Sequence, residues 1–276
     1  MHKVTLTTLA LLILILVSPV RSDVKPLIVL NLFGGAERGN DDHAGAIGGS
    51  ELFGIYPLGQ TWGIQGSLFN QGGNGGYRFG LSAGPVFAYN SGKVGLFGDY
   101  VYRNRGSNNF FFLRGVWAHY FDSVDLVLSY SQPVHSTQHT RTTFTEAPPG
   151  PCGDQPRTRN EKEPSINELK AVLRFYPTPR VEINGGLLVN SFAGPDRNDT
   201  GTGFGGVFGV AFQVLDWLIL RPVQGQMDTR ERYRITSGVE FVWSPPVAEP
   251  NSRQRVNQSD NAFSVASASG GTFLGS

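Results

Sequence analysis

The chain has 276 residues, a formal charge of +1, 36 glycines, 12% aromatic residues and one cysteine. The near-neutral charge excludes a partner bound mainly through its phosphates, so no nucleic acid is expected. The single Cys152 excludes a disulfide within the chain, and many glycines with many aromatic residues favour strands over helices.

Residues 1–22 have the pattern of a signal peptide. His2 and Lys3 precede an apolar run that is too short to span a bilayer comfortably, and the small-residue ending Val20-Arg21-Ser22 follows it. Removal of this leader takes away Lys3 and Arg21 and no acidic residue, which changes the formal charge from +1 to about −1. We therefore expect a secreted mature chain, with residues 23–243 forming one folded unit.

The first long strand pattern lies between Tyr77 and Tyr89, where apolar and polar or small residues alternate for thirteen positions. Strict alternation predicts a strand with two different faces. It does not by itself separate a soluble sandwich from a membrane barrel, because both have one apolar face.

The spacing of turns and loops predicts twelve strands. Short turns near 57–61, 90–93, 122–123, 177–180 and 214–216 alternate with mostly longer polar connections at 37–43, 71–76, 104–109, 133–164, 193–202 and 227–230. The strands are predicted at roughly 26–36, 46–56, 62–70, 76–89, 94–103, 110–121, 124–132, 166–176, 181–192, 203–213, 217–226 and 231–243.

Short turns on one side and longer loops on the other are typical of bacterial outer-membrane barrels. Most predicted strands have the length that a tilted strand needs to cross a bilayer, about 9–11 residues, and exceed the soluble average of about 5–6. Aromatic residues near both strand ends suggest two interfacial belts. The expected fold is a single transmembrane antiparallel β-barrel with both ends on the short-turn, periplasmic side; a soluble secreted β-sandwich is the structural alternative.

The polar parity of the strands supplies candidates for the barrel lumen. Charges facing lipid are costly, so these side chains should face the interior while their neighbours face the membrane. Such a lumen could be a wet pore or an interior closed by ion pairs. The candidate lumen-lining residues are Arg78, Asp99, Arg114, Asp125, Lys170, Arg174, Glu182, Arg232, Arg234 and Glu240.

Three strands fit the alternation poorly. The sixth is apolar on both parities apart from Arg114 and His119, and Arg114 is favoured inward. The second carries Glu51 on the same parity as apolar residues. In the eleventh, Pro222 predicts a bulge, an early strand end or a misplaced boundary.

The last predicted strand carries the pattern polar-x-Gly-x-x-aromatic-x-aromatic at Thr236, Gly238, Phe241 and Trp243. This pattern resembles the signal that bacterial outer-membrane β-barrel proteins carry on their final strand, and the resemblance implies delivery to the barrel-assembly machinery. Most proteins of that class end at the last aromatic residue, whereas residues 244–276 follow here. Their Ser, Asn, Gly and Ala content predicts a flexible tail on the short-turn, periplasmic side.

Catalytic and metal signatures are weak. None of His43, His119, His135 and His139 has a serine two residues away, which a hydrolase site on one strand face would need. His135 and His139 are four residues apart in a predicted loop without metal-site partners, and Cys152 in the same loop could be an exposed thiol. No catalytic residue, metal or cofactor is predicted.

Three functions remain open from sequence. The first is a porin-like passive channel for small hydrophilic solutes in the outer membrane of a Gram-negative-type envelope. The second is a non-conducting scaffold or adhesin that uses the loop at 133–164. The third is a lipid-modifying barrel enzyme, for which the chain offers only His119 and the loop histidines.

Overall fold

A computed structural model describes residues 26–38, 44–59, 61–73, 76–89, 91–104, 108–121, 123–137, 165–193, 200–228 and 233–243. These residues form twelve strands. The strands are β1 (Leu27–Arg38), β2 (Ala44–Pro57), β3 (Trp62–Gly73), β4 (Gly76–Tyr89), β5 (Gly92–Arg103), β6 (Asn108–Tyr120), β7 (Val124–Thr137), β8 (Ser165–Thr178), β9 (Val181–Ala193), β10 (Thr200–Leu215), β11 (Leu218–Asp228) and β12 (Tyr233–Trp243).

The strands close into one antiparallel barrel in which each strand pairs with its neighbours in the chain. Closure comes from β1 pairing with β12, with Ile28 opposite Trp243 and Arg38 opposite Tyr233. A closed barrel leaves no unpaired strand edge, which a sheet in lipid requires. The predicted all-β twelve-stranded barrel is thus confirmed.

Most of the strands extend further on the loop side than predicted. Pro133, expected to begin a loop, lies within β7, and His135 is in the same strand opposite Phe111. The ladder accommodates the proline at a register shift, where a missing N–H is tolerated. Glu37, also assigned to a loop, belongs to β1. Hydrogen bonding between strands continues for as long as a partner strand is available, whatever the polarity of the side chains.

The outer face of the barrel is apolar. Large hydrophobic side chains are exposed on it along the strands, among them Leu68 on β3, Leu113 on β6 and Leu187 on β9. An apolar surface that surrounds a barrel is suited to hydrocarbon and not to water. Among the described residues, no helix is long and apolar enough to cross a bilayer.

The aromatic belts are only partly as expected. Tyr56, Trp62, Trp217 and Trp243 are exposed on the outer face near the short turns. Five aromatic residues near strand ends, where the sequence suggested the belts, are instead buried or half-buried on the interior parity, because strand position alone does not distinguish the two faces. These are Phe33, Phe69, Phe110, Tyr120 and Tyr176.

Pro222 lies at a β-bulge. The register between β11 and β12 shifts between Arg221 and Gln224, and the β10 and β11 register shifts between Val210 and Phe212. The shift changes the parity of β11, so that Arg221 and Gln226 are both buried although five positions apart. Of the three explanations offered by the sequence, the bulge is correct.

Several expectations fall on residues outside the described ranges. They are the signal peptide at 1–22, the tail at 244–276, His43, His139, Cys152 and Arg232. These expectations remain predictions.

Candidate functional site in the barrel interior

The lumen candidates lie on the interior parity of the wall. Nine of the ten are described; of these, Arg78 and Arg234 are slightly exposed and the other seven are buried. The buried ones are Asp99, Arg114, Asp125, Lys170, Arg174, Glu182 and Glu240. The structure thus places acidic and basic side chains together inside the barrel.

Arg114 and Asp99 form an ion pair across the wall of β5 and β6. Arg114 Nε donates to Asp99 Oδ2 at 2.6 Å, and Nη2 donates to Oδ1 at 3.1 Å. Ser82 Oγ donates to Asp99 Oδ1 at 2.5 Å, and the guanidinium lies 4.6 Å from the ring centre of Phe97. The inward orientation favoured for Arg114 is the one observed.

A second cluster joins β9, β11 and β12. Arg221 Nε donates to Glu240 Oε1 at 2.5 Å, and its Nη1 lies 3.9 Å from Glu182 Oε1. Asn184 Nδ2 also donates to Glu182 Oε1, at 2.7 Å. All of the three charged side chains are buried, so their mutual pairing offsets part of the cost of removing them from water.

A third cluster, the mouth cluster, lies at the loop side and consists of Glu37, Arg78 and Arg234. Glu37 accepts from Arg78 Nη2 at 2.7 Å and from Arg234 Nη2 at 2.5 Å. Glu37 and Arg234 are direct cross-strand partners, whereas Arg78 comes from β4, three strands away. One carboxylate therefore holds two arginines together at this end of the lumen.

The turn side of the interior is mainly apolar. Eight buried side chains from six strands form the turn-side layer: Leu27, Val29, Phe53, Ile55, Ala88, Ala211, Ile219 and Val242. A second apolar cluster on β4 to β7 contains Val86, Phe97, Val116, Ala118 and Val127. Where apolar side chains narrow a channel, they obstruct ions because water leaves such a constriction readily.

Polar groups interrupt this apolar lining. Gln65, Lys93 and Gln213 are buried opposite residues of the layer, and a larger polar group lies on β7 to β9. Asp125 is completely buried, and Tyr176 Oη donates to its Oδ2 at 2.7 Å. Arg174 is the cross-strand partner of Asp125, and Glu182 lies on the adjoining strand. We refer to Asp125, Arg174, Tyr176 and Glu182 as the polar track, because they connect the turn side with the middle of the barrel.

Above the turn-side layer lies a polar cavity, the chamber, with a volume of about 180 Å³. The lining of the chamber begins directly above the turn-side layer. On β1, Asn31 is the next inward residue after Val29 of the layer, and the cross-strand partners of Asn31 are Glu51 on β2 and Glu240 on β12. The chamber also reaches Arg234 of the mouth cluster and Arg174 of the polar track.

Sequence reasoning missed several interior charges. Glu37 and Glu51 were overlooked because one was assigned to a loop and the other shares its parity with apolar residues. Arg221 was overlooked because the bulge at Pro222 interrupts the alternation. Buried Arg103 and Glu168 lie on the expected parity of their strands, so the alternation could have identified them.

The remaining sequence candidates lie elsewhere. His119 is on the outward parity of β6, with its ring 5.7 Å from Trp117 and 4.7 Å from Phe121. Its Nδ1 is 3.3 Å from Tyr89 Oη, and no carboxylate contact is found for it among the described residues.

The four residues of the last-strand pattern all lie in β12, with Thr236 and Gly238 inward and Phe241 and Trp243 outward.

Comparisons with known proteins give matches in structure only. No family model matches the chain, and no curated protein matches its sequence. An outer membrane channel from Pseudomonas putida F1 aligns with a TM-score of 0.56 and 10% identity, over 83% of this chain and 100% of that one. The NanC porin aligns with a TM-score of 0.53 and 9% identity, over 77% and 98%. The KdgM porin in complex with disordered oligogalacturonate aligns at 0.51 and 9%, over the same shares.

These similarities establish the fold. The chain has the architecture of bacterial outer-membrane β-barrels, as the last-strand resemblance implied. Identities of about one residue in ten carry no information on solutes, so function has to be argued from the interior.

Proposed function

We propose that this protein is an outer-membrane channel for small hydrophilic solutes. The observation that carries the proposal is the chamber, a polar cavity inside a closed barrel, lined by both acidic and basic side chains. Such a lining stabilises water and polar solutes. The apolar outer face of the same wall contacts lipid, so the polar side chains are kept away from the hydrocarbon. The proposed lumen-lining set is the one predicted from sequence, with Arg232 left as a prediction.

The route through the barrel would follow the chamber and then the polar track. From the loop side a solute would pass the mouth cluster, enter the chamber and leave along Arg174, Tyr176 and Asp125. The turn-side layer would narrow this route. We therefore expect a small conductance that is limited at the turn side, and passage of small solutes only.

The location follows from the same features. The apolar outer face would contact outer-membrane lipid, and the β12 pattern would recruit the barrel-assembly machinery. Both chain ends of the barrel, Leu27 and Trp243, lie on the short-turn side, which is periplasmic in outer-membrane barrels.

The test is current through planar lipid bilayers containing the purified full-length protein in KCl. We expect steady small unitary steps, and larger steps in Phe53→Ala, because removal of a ring that is 1% exposed widens the turn-side layer. Leu52→Ala is the matched control, since Leu52 is the neighbouring residue on the outer face and is 48% exposed. Equal currents in the two variants would contradict a limit at the turn side.

A second candidate function is a non-conducting barrel that serves as a surface scaffold. The turn-side layer favours it, because eight apolar side chains meet inside the lumen. Absence of current in both the natural protein and Phe53→Ala, with both barrels folded, would select this candidate over the channel. The loop at 133–164 would then be the surface to shorten in binding assays.

A further inference from the structure

Glu168 is a buried acid on the interior face of β8. It is 3% exposed, and its Oε2 has no hydrogen-bond partner among the described residues. Its other oxygen, Oε1, lies 3.5 Å from Lys170 Nζ. An ionised carboxylate can accept about four hydrogen bonds, so these surroundings satisfy only part of its capacity. Removal of such a group from water favours its neutral form.

The residue opposite Glu168 also has an oxygen that lacks a donor. Asn190 on β9 is the cross-strand partner of Glu168 and is 1% exposed, and its Oδ1 has no partner among the described residues. Cross-strand partners on one face lie close enough for their side-chain ends to meet. Both oxygens are closed to a water-sized molecule, whereas a proton needs no additional space. A proton on Glu168 would supply the missing donor.

We propose that Glu168 is protonated at neutral pH, donates its O–H to Asn190 Oδ1, and thereby gives the lumen an excess of positive charge. The inference rests on the proposed function, since it names the ions that the channel prefers, anions over cations. Glu168 is then the residue that sets this preference.

The charges of the described interior would cancel if Glu168 were ionised. Six basic and seven acidic side chains are buried there, and the mouth cluster adds two arginines and one glutamate, which gives eight of each sign. One proton on Glu168 leaves one net positive charge beside Lys170, which lines the chamber. A unit charge about 8 Å away in water changes the local concentration of an ion about twofold, in opposite directions for anions and cations.

The groups around Glu168 determine whether the proton is retained. Its cross-strand partners, Ser131 on β7 and Asn190 on β9, are uncharged. Three cations favour ionisation, one on its own strand and two on β6 and β12: Lys170, Arg114 and Arg234. The two arginines are held by other carboxylates, at 2.6 Å in the pair with Asp99 and within the mouth cluster. Of the three, Lys170 therefore opposes the proton most directly.

The first test is infrared spectroscopy of the purified full-length protein at pH 7. We expect the carbonyl band of a protonated carboxylic acid, and loss of its intensity in Glu168→Gln. Glu37→Gln is the control and should leave the band unchanged, because Glu37 accepts from two arginines as an ionised carboxylate. Heat-modifiable migration on gels establishes that each variant is folded. Absence of the band, or an unchanged band in folded Glu168→Gln, would overturn the inference.

The second test is the reversal potential of the channel in a KCl gradient across a planar bilayer. The natural protein should prefer chloride over potassium by about twofold or more at pH 7. Glu168→Gln should have the same preference, because it replaces a neutral acid with a neutral amide. Glu37→Gln should increase the preference, since it removes a negative charge. A preference for potassium in the natural protein, or a larger chloride preference in Glu168→Gln than in the natural protein, would overturn the inference.

The two measurements are linked by pH. Raising the pH until the infrared band disappears should bring the natural protein to about equal permeabilities, whereas Glu168→Gln should keep its preference for chloride. A preference that does not follow the band would overturn the inference. Infrared spectroscopy needs no passage through the barrel, so the failures are distinct: the band without current contradicts only the channel, and current without the band contradicts only the proton on Glu168.

Discussion

Asp99→Asn tests how strongly a buried ion pair in the barrel interior stabilises the folded protein. The substitution removes the negative partner of Arg114, with which Asp99 shares bonds of 2.6 and 3.1 Å. The side chains are only 1% and 3% exposed. Removing one partner of a buried pair costs about 3–5 kcal/mol. Arg114 retains its contacts with Ser82 and Phe97, so the lower end, about 3 kcal/mol, is expected.

The control pair is on the surface of the same barrel. Arg180 and Asp216 are 3.9 Å apart and 61% and 64% exposed, so solvent screens them. Asp216→Asn should cost less than about 1 kcal/mol. The assay is urea unfolding of both variants and the natural protein in lipid vesicles, monitored by tryptophan fluorescence and gel mobility. Equal losses in the two variants would refute the reasoning, because they would mean that water screens the interior pair as it screens the surface one.

Two further predictions concern single positions. Gly80→Ala should destabilise the barrel by about 1–3 kcal/mol, because the added Cβ would overlap the ring of Phe69. Gly98→Ala is the control and should be tolerated, because a Cβ at Gly98 would meet nothing within 4 Å. Urea unfolding of the two variants measures the difference. Glu37→Gln should lower the free energy of unfolding by about 2 kcal/mol or more, because it removes charge-assisted bonds to both arginines of the mouth cluster; an unfolding curve unchanged from the natural one would contradict this role.

The architecture was largely predictable because membrane barrels impose strong sequence constraints. Alternation at Tyr77 to Tyr89 identified β4 with its observed bounds, Gly76–Tyr89, to within one residue. The order of turns and loops gave the number of strands. The ends on the loop side were not predictable, since polar residues such as those near Pro133 are compatible with both a loop and a strand that has left the hydrocarbon.

The sequence indicated which side chains face the interior better than it indicated which of them contact each other. Alternation correctly indicated that Asp99 and Arg114 share a face, but their pairing depends on the register of β5 and β6, which places Arg114 opposite Phe97 and beside Asp99. The mouth cluster is a stronger example. Glu37 and Arg78 lie three strands apart in the wall, and no spacing in the sequence relates them.

The remaining errors of the sequence predictions arise because the sequence does not give the height of an inward residue along the barrel axis. Parity separates inside from outside, but it does not distinguish the mouth from the turn side. On β2 the inward residues Glu51, Phe53 and Ile55 seemed inconsistent because they mix charge with apolar side chains. The register resolves them: Glu51 is opposite Asn31 in the chamber, whereas Phe53 is opposite Val29 in the turn-side layer. The chamber and the layer below it therefore follow from how the strands are aligned, and the proposed channel depends on the boundary between them.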